Sequence, residues 1–228
     1  MKWDMNWTDL GNPFPRIQPL TYRPIEWPIE EVFFLPPPLE GNLLPPMRSV
    51  IDSRRTRREF GSLDHYLLSE WLWLVAREMV AGHSRLGFAL TQRPAPSAGA
   101  IHPIHIVLSL PEMDGWQLYL PDKHALALLS QPNQTRDVVR NELLPVLDIQ
   151  SGIVIRLIAE PGMTAAKYEN ADSLVWRDAG VLTGQMALVA EAFACNFCPL
   201  GITGNEWCAS LKLEDCLAGV GLAVLGSR

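Results

Sequence analysis

Four arginines fall within five positions in the stretch Ser53-Arg54-Arg55-Thr56-Arg57-Arg58-Glu59-Phe60, although the whole chain carries a net charge of −6. Clustered guanidinium groups repel one another, so this stretch requires a local anionic partner. Arginine binds phosphate oxygens through two parallel hydrogen bonds, and a threonine hydroxyl adds a neutral donor. At alternate spacing Arg54, Thr56 and Arg58 can converge on one group while the arginines between them point elsewhere. We predict a phosphate clip here; a solvated basic turn paired to nearby acids is the alternative.

Two further stretches combine small residues with sharp turns. Pro96-Ser97-Ala98-Gly99-Ala100-Ile101-His102-Pro103 leads into a predicted strand, and its small side chains would let the backbone approach a flat ligand. Ser97 could donate a hydrogen bond to a ring heteroatom. Cys198-Pro199-Leu200-Gly201-Ile202-Thr203-Gly204 follows a long predicted helix, and its amides could face a cofactor. Taken alone, the first is a tight loop and the second a helix stop.

The rest of the chain beyond residue 47 has the periodicity of mixed helices and strands. Hydrophobic residues make up 48% of the 228 residues and charged residues 19%, which indicates one globular domain. The pattern predicts helices over 48–57, 69–80 with Ser69 as N-cap, 136–147 and 172–195, and strands over 104–110, 116–120, 153–159 and 220–225. Because no repeating strand–helix–strand rhythm is present, the class is α+β.

The first 47 residues differ in character. Ten of the 19 prolines lie before residue 47, so no regular helix can form there. The same segment carries six tryptophan and phenylalanine residues, too many for a solvated tail: Trp3, Trp7, Phe14, Trp27, Phe33 and Phe34. We therefore divide the chain into an extended arm (1–47), which lies across its own body or a partner's, and a folded domain (48–228). A polyproline ligand for another domain is the alternative.

Composition excludes several classes of function. The negative net charge argues against general nucleic-acid binding. The apolar stretch 186–200 is too short and too polar for a membrane span, and no secretory signal is visible, so we expect a cytoplasmic protein. Cys195 and Cys198 have zinc-like spacing but no second pair, so we expect buried thiols and no metal site. We expect structural roles for His102, His105 and His124. His124 would cap or pack a short helix.

In this order, the three motifs resemble the FMN-binding parts of the nitroreductase superfamily. That family has an Arg-x-Ser/Thr-x-Arg/Lys clip before a phenylalanine, a Pro-Ser-rich loop, and a Pro-x-x-Gly loop after a long helix. The resemblance covers roughly 48–228. It implies a central, mostly antiparallel sheet flanked by helices, in a domain-swapped homodimer with FMN between the subunits.

The resemblance also implies positions for the cofactor. The phosphate would be held by Arg54, Thr56 and Arg58, joined by Arg228. The flavin ring would lie near Pro96, Ser97, Ala98 and Ala100. The backbone N–H of Gly201 would approach flavin N5, with Pro199 and Leu200 in the same loop.

Finer features are similar to the SagB-type branch, which includes the azoline dehydrogenases of thiazole- and oxazole-modified peptide pathways. Ala100 and His102 stand where simple nitroreductases carry Asn and Gln, and Trp176-Arg177-Asp178-Ala179-Gly180 also resembles this branch. A Lys-Tyr pair beside the flavin is catalytic in those dehydrogenases, which implies that role for Lys167 and Tyr168. The alternative for this dipeptide is an exposed turn.

Three functions stay open at this point. The first is an FMN-dependent dehydrogenase that converts an azoline to an azole in a modified peptide. The second is a reductase that passes electrons from NAD(P)H to a nitro compound, a quinone or a flavin. The third is a catalytically degenerate subunit that docks a partner enzyme. The sequence does not fix the substrate, because the pocket-lining loops of this superfamily vary.

Overall fold

The computed structural model describes residues 8–38, 41, 44–132, 134–211, 213 and 216–228. Trp3 and Trp7 of the predicted arm lie outside them. The helices are α1 (Met47–Ser53), α2 (His65–Ala76), α3 (Arg136–Leu143), α4 (Pro161–Lys167), α5 (Asp172–Ala192) and α6 (Asn205–Ser210). The strands are β1 (Phe14–Pro15), β2 (Ile29–Phe34), β3 (Val80–Gly82), β4 (Leu90–Gln92), β5 (Ile104–Ser109), β6 (Trp116–Leu120), β7 (Ala125–Leu129), β8 (Ile153–Ala159), β9 (Tyr168–Glu169), β10 (Cys195–Leu200) and β11 (Ala218–Ser227).

Seven strands form the central sheet, in the order β10-β11-β8-β5-β6-β7-β2, and every neighbouring pair is antiparallel. Apolar residues of α2 and α5 pack on one face, around the fully buried Trp71 and Met186. The other face is covered by α3 and α6, around Trp116 and Trp207. The prediction of an α+β fold with a mostly antiparallel sheet flanked by helices is confirmed.

Several element ends differ from the sequence prediction. Helix α1 ends at Ser53, because Arg54 has the extended backbone angles φ −53° and ψ 125°, so the clip lies in a loop. Helix α2 begins four residues before Ser69, and its N-cap is Asp64, whose carboxylate accepts from the Tyr66 N–H at 2.7 Å. Ser69 is buried inside the helix and donates to the Pro36 carbonyl.

Two strands stand where the sequence suggested other structure. The segment after α5 was expected to be a loop at Cys198-Pro199, but Cys195–Leu200 is strand β10. Pro199 is tolerated there because β10 lies at the edge of the sheet, where a missing N–H costs no ladder bond. The apolar residues after His124 form β7, paired with β6 and β2, and not a short helix.

The described part of the arm lies on its own chain. Strand β2 pairs with β7 as the second edge of the sheet, and β1 pairs with β9. The division of the chain at residue 47 stays a prediction. Among the described helices, none is long and apolar enough to cross a membrane.

Candidate functional site

Arg228, which was expected to join the phosphate, and Arg57, which was expected to point elsewhere, are both held by one carboxylate. Arg57 and Arg228 each donate to Glu191 of α5 at 2.6 Å, and the Glu191 side chain is only 4% exposed. Burial opposes ionisation of Glu191, but the hydrogen bonds from Arg57 and Arg228 outweigh it and lower the pKa to about 2. Arg57 therefore points away from the clip, as predicted, and Arg228 is tied to Glu191.

The remaining clip residues stay available for an anion. Within the described ranges, no carboxylate lies within ion-pair distance of Arg54 or Arg58, and Thr56 is exposed. The Arg58 guanidinium lies near Cys198; burial raises the pKa of that thiol, and Arg58 partly offsets the effect. The clip thus borders the end of β10. Gly201 beyond it is exposed, and a Cβ built there would meet nothing within 4 Å.

Helix α5 organises the 96–103 loop through Asp178. The Asp178 carboxylate accepts from the Ser97 hydroxyl at 2.5 Å and from the Ala98 N–H at 3.1 Å. The Ser97 oxygen in turn accepts from the His102 N–H at 2.9 Å. Burial raises the pKa of Asp178, and the two bonds from the loop oppose that rise. The hydroxyl hydrogen of Ser97 and the Ala98 N–H are therefore both engaged with the Asp178 carboxylate.

The same loop holds an unusual backbone conformation. Gly99, Ala100 and His102 all have φ between +52° and +63°, a left-handed region that residues other than glycine rarely adopt. Backbone strain of this kind persists only where many surrounding contacts hold the residue in place, and it is found most often at functional sites.

Lys167 and Tyr168 converge on this loop. The Lys167 ammonium donates to the Gly99 carbonyl at 3.2 Å. A Cβ built on Gly99 would lie 2.8 Å from both the Lys167 Nζ and the Tyr168 hydroxyl. Both residues are half-buried, one ending α4 and the other beginning β9. They therefore do not form an exposed turn.

The two groups of residues lie at opposite ends of α5. Asp178, which holds the 96–103 loop, and Glu191, which holds the clip side, are 13 residues apart, or about 20 Å along the helix. The described residues of one chain therefore contain two separate groups of candidate residues: the clip with the 198–201 segment, and the loop with the Lys167–Tyr168 pair.

Sequence reasoning missed the anchoring carboxylates. Asp178 was noticed only as part of a motif, and its bond to Ser97 spans 81 residues. Glu191 joins residues 134 and 37 positions away. The histidine expected beside a helix, His124, instead bridges the Ser69 and Tyr119 hydroxyls at 2.8 and 2.9 Å. Among the described residues, no group of three metal-ligating side chains is present.

Comparisons with known proteins agree with this architecture. No protein-family model and no curated protein matches the sequence. A crystal structure of a protein assigned as a nitroreductase from Ralstonia eutropha JMP134 superposes with a TM-score of 0.66 and 20% identity, covering 92% of this chain and 97% of that one. The Escherichia coli microcin synthetase McbBCD complex, solved with truncated pro-MccB17 bound, gives a TM-score of 0.59 at 18% identity, covering 87% and 78% of the two chains.

A third structure contains a cofactor. A protein assigned as a nitroreductase from Desulfovibrio desulfuricans, solved in complex with FMN, superposes with a TM-score of 0.50 and 14% identity, covering 81% of this chain and 87% of that one. Identities at this level show the fold alone. The protein has the nitroreductase fold.

Proposed function

We propose that the protein is an FMN-dependent oxidoreductase of the SagB-type branch of the nitroreductase superfamily, and that it dehydrogenates an azoline to an azole in a modified peptide. The observation that carries the proposal is the convergence of Lys167 and Tyr168 on the Gly99 loop. The fold shared with the McbBCD complex, which was solved with a bound pro-peptide, supports a peptide substrate and a partner enzyme.

The residues present fit FMN. The phosphate would be bound by Arg54, Thr56 and Arg58, because these two arginines have no carboxylate partner in the described part of the chain. The flavin ring would rest near Pro96, Ser97, Ala98 and Ala100, where side chains are small. The open space in front of Gly201 would admit its edge, flanked by Pro199 and Leu200. Arg228 would reach the phosphate only by leaving Glu191.

The reaction removes two hydrogens from adjacent ring carbons and forms a double bond between them. When bound, FMN would accept the hydride, and dioxygen or another two-electron acceptor would restore it. The proton from the neighbouring carbon goes to Lys167 or to Tyr168. The Gly99 carbonyl accepts from the Lys167 amine and orients it, and the Lys167 Nζ lies 5.8 Å from the centre of the Tyr168 ring.

A homodimer would complete the site. In one chain, Asp178, which anchors the 96–103 loop, and Glu191, which binds Arg57 beside the clip, lie about 20 Å apart along α5. In a two-fold dimer, the clip of one copy can face the loop of the other. The exposed face of α5 supports this arrangement because four of its six exposed residues are apolar or glycine, Trp176, Gly180, Val181 and Gly184, while Asp172 and Arg177 are charged. Replacing Gly184 by Gln should leave the fold intact but shift sedimentation towards the monomer and lower FMN retention together.

The test of the proposed reaction uses a synthetic peptide with one thiazoline. The FMN-loaded protein should convert it to the thiazole, seen by mass spectrometry as the loss of two hydrogen atoms. Lys167→Ala and Tyr168→Phe should each slow this step by about 10²- to 10⁴-fold and leave FMN stoichiometry unchanged. Full activity in both variants, or no conversion by the flavin-loaded wild type, would contradict the proposal.

A reductase that draws electrons from NAD(P)H is the second candidate, favoured by the likeness to the Ralstonia protein. Rapid bleaching of the bound flavin by NADH, followed by reduction of a nitroarene or quinone, would support it. A failure to retain FMN after reconstitution would favour the third possibility, a docking subunit without chemistry.

A further inference from the structure

We propose that the arm is a positioning element for the catalytic pair: residues 14–22 hold the C-terminal end of α4 and thereby place Lys167 and Tyr168 against Gly99. This inference rests on the proposed function, since it assigns the arm a role at that same site. It also gives the proline-rich segment a purpose that neither the fold nor the FMN motifs require.

The main observation is that the arm supplies hydrogen-bond partners for the last carbonyls of α4. The final carbonyls of any helix lack partners within the helix, and α4 has only seven residues. The Arg16 side chain donates through Nε to the Ala165 carbonyl at 2.7 Å, and its backbone N–H donates to the Lys167 carbonyl at 2.9 Å. The Leu20 N–H donates to the Ala166 carbonyl at 2.8 Å. Three successive carbonyls of α4 are thus capped by the arm.

The arm also fixes the conformation of the chain immediately after α4. Strand β1 pairs with β9, so that Pro15 stands opposite Tyr168 and Phe14 opposite Glu169. Arg16 adds an ion pair to Glu169 at 3.5 Å. Tyr168 consequently has the extended angles φ −126° and ψ 144° directly after the last helical residue. The change from helix to strand at this point lets two consecutive side chains reach the same glycine.

The N-terminal end of α4 is held by the same arm. The Tyr22 ring covers Gly162 so closely that a Cβ on this glycine would overlap a ring carbon. Glu160, which is fully buried, accepts from the Ile25 N–H at 2.8 Å and contacts the His105 ring nitrogen at 2.9 Å. Helix α4 is therefore fixed at both ends by arm residues, and its position depends on the arm staying in place.

A matched pair of variants separates this role from a general effect of charge. Arg16→Ala removes the side-chain cap on α4. Arg23→Ala removes an arginine of the same arm that is 84% exposed and that, among the described residues, forms an ion pair only with Glu26 of the arm. A misplacement of a catalytic group by about 1 Å can lower a rate by about 10²-fold. We expect Arg16→Ala to lower kcat for the thiazoline peptide by about 10- to 100-fold, with KM and FMN stoichiometry unchanged.

The experiment has a second readout that needs no flavin. Hydrogen–deuterium exchange on the flavin-free protein should be faster at residues 161–170 and 97–100 in Arg16→Ala than in the wild type, and unchanged in Arg23→Ala. The pH profile of kcat should also change in Arg16→Ala, which a loss of folded protein alone would not produce. Equal exchange and equal kcat in the two variants would overturn the inference. If the wild type does not convert the peptide, the proposed reaction fails, and the exchange comparison still decides whether the arm holds α4.

Discussion

Glu191 offers the most quantitative prediction, because its role is structural and its electrostatics are strong. Its pKa falls from the ordinary value of 4.5 to about 2, and at about 1.4 kcal/mol per pKa unit this corresponds to about 3 kcal/mol of folding free energy. Arg57 and Arg228 are 30% and 42% exposed, so water can solvate them when the carboxylate is removed. We therefore expect Glu191→Gln to lower the free energy of unfolding by about 1–2 kcal/mol at pH 7.

The assay is urea unfolding of the flavin-free protein, followed by tryptophan fluorescence at several pH values. A lowered pKa contributes stability that is present above the unfolded value of 4.5 and is lost as the pH falls towards 2. The difference between wild type and Glu191→Gln should thus be constant at neutral pH and shrink as the pH falls from 4.5 to 2. A variant as stable as the wild type, or a difference that grows on acidification, would refute this reasoning.

Substitutions at three other residues, Asp178, Arg156 and Gly99, have definite expected outcomes. Asp178→Asn should weaken FMN binding about 10-fold by loosening the 96–103 loop, as measured by fluorescence titration; unchanged affinity would argue against that anchor. Arg156 is fully buried between two tryptophan rings. Among the described residues its Nη2 donates to Glu142, whose side chain is 35% exposed, whereas its Nε and Nη1 have no hydrogen-bond partner. In urea unfolding, Arg156→Met should therefore change the free energy of unfolding by less than about 1 kcal/mol, whereas Arg156→Ala should lower it by about 3 kcal/mol; equal losses in the two variants would contradict this. Gly99→Ala should lower kcat through contact with the catalytic pair, while Gly82→Ala should not, because among the described residues a Cβ there would meet nothing closer than the Leu90 carbonyl oxygen at 3.9 Å; equal kcat values would contradict the placement of the pair.

The parts of the fold with strong local patterns were predictable. Strands β5, β6, β8 and β11 have apolar or β-branched runs, and each was located to within a few residues. Strand β7 was missed because Ala-Leu-Ala-Leu-Leu favours a helix, and pairing with two neighbouring strands overrides that preference. Strand β2 was not expected because the surrounding prolines argue against a strand. Prolines are nevertheless tolerated there, because β2 lies at the edge of the sheet.

The candidate site was predictable in its motifs and not in its assembly. The order of the clip, the small-residue loop and the Lys-Tyr pair follows from the sequence. The contacts that organise these motifs join residues far apart in the chain. One example is the hydrogen bond from Arg228, expected at the phosphate, to Glu191. The contacts of the arm could not be predicted either, because the hydrogen bond from Arg16 to the Ala165 carbonyl joins residues 149 positions apart in the sequence.

FMN binding through the clip is the central claim, and an absorption spectrum of the desalted protein after incubation with FMN tests it most directly. Removing two arginines that would each make charge-assisted bonds to phosphate should weaken binding by at least about 100-fold. We predict that the wild type retains flavin bands and that Arg54→Ala/Arg58→Ala loses them. The control Arg23→Ala/Arg55→Ala removes the same charge from side chains bonded elsewhere, and should keep the bands. Absence of flavin from the wild type, or its retention by the clip variant, would contradict the account.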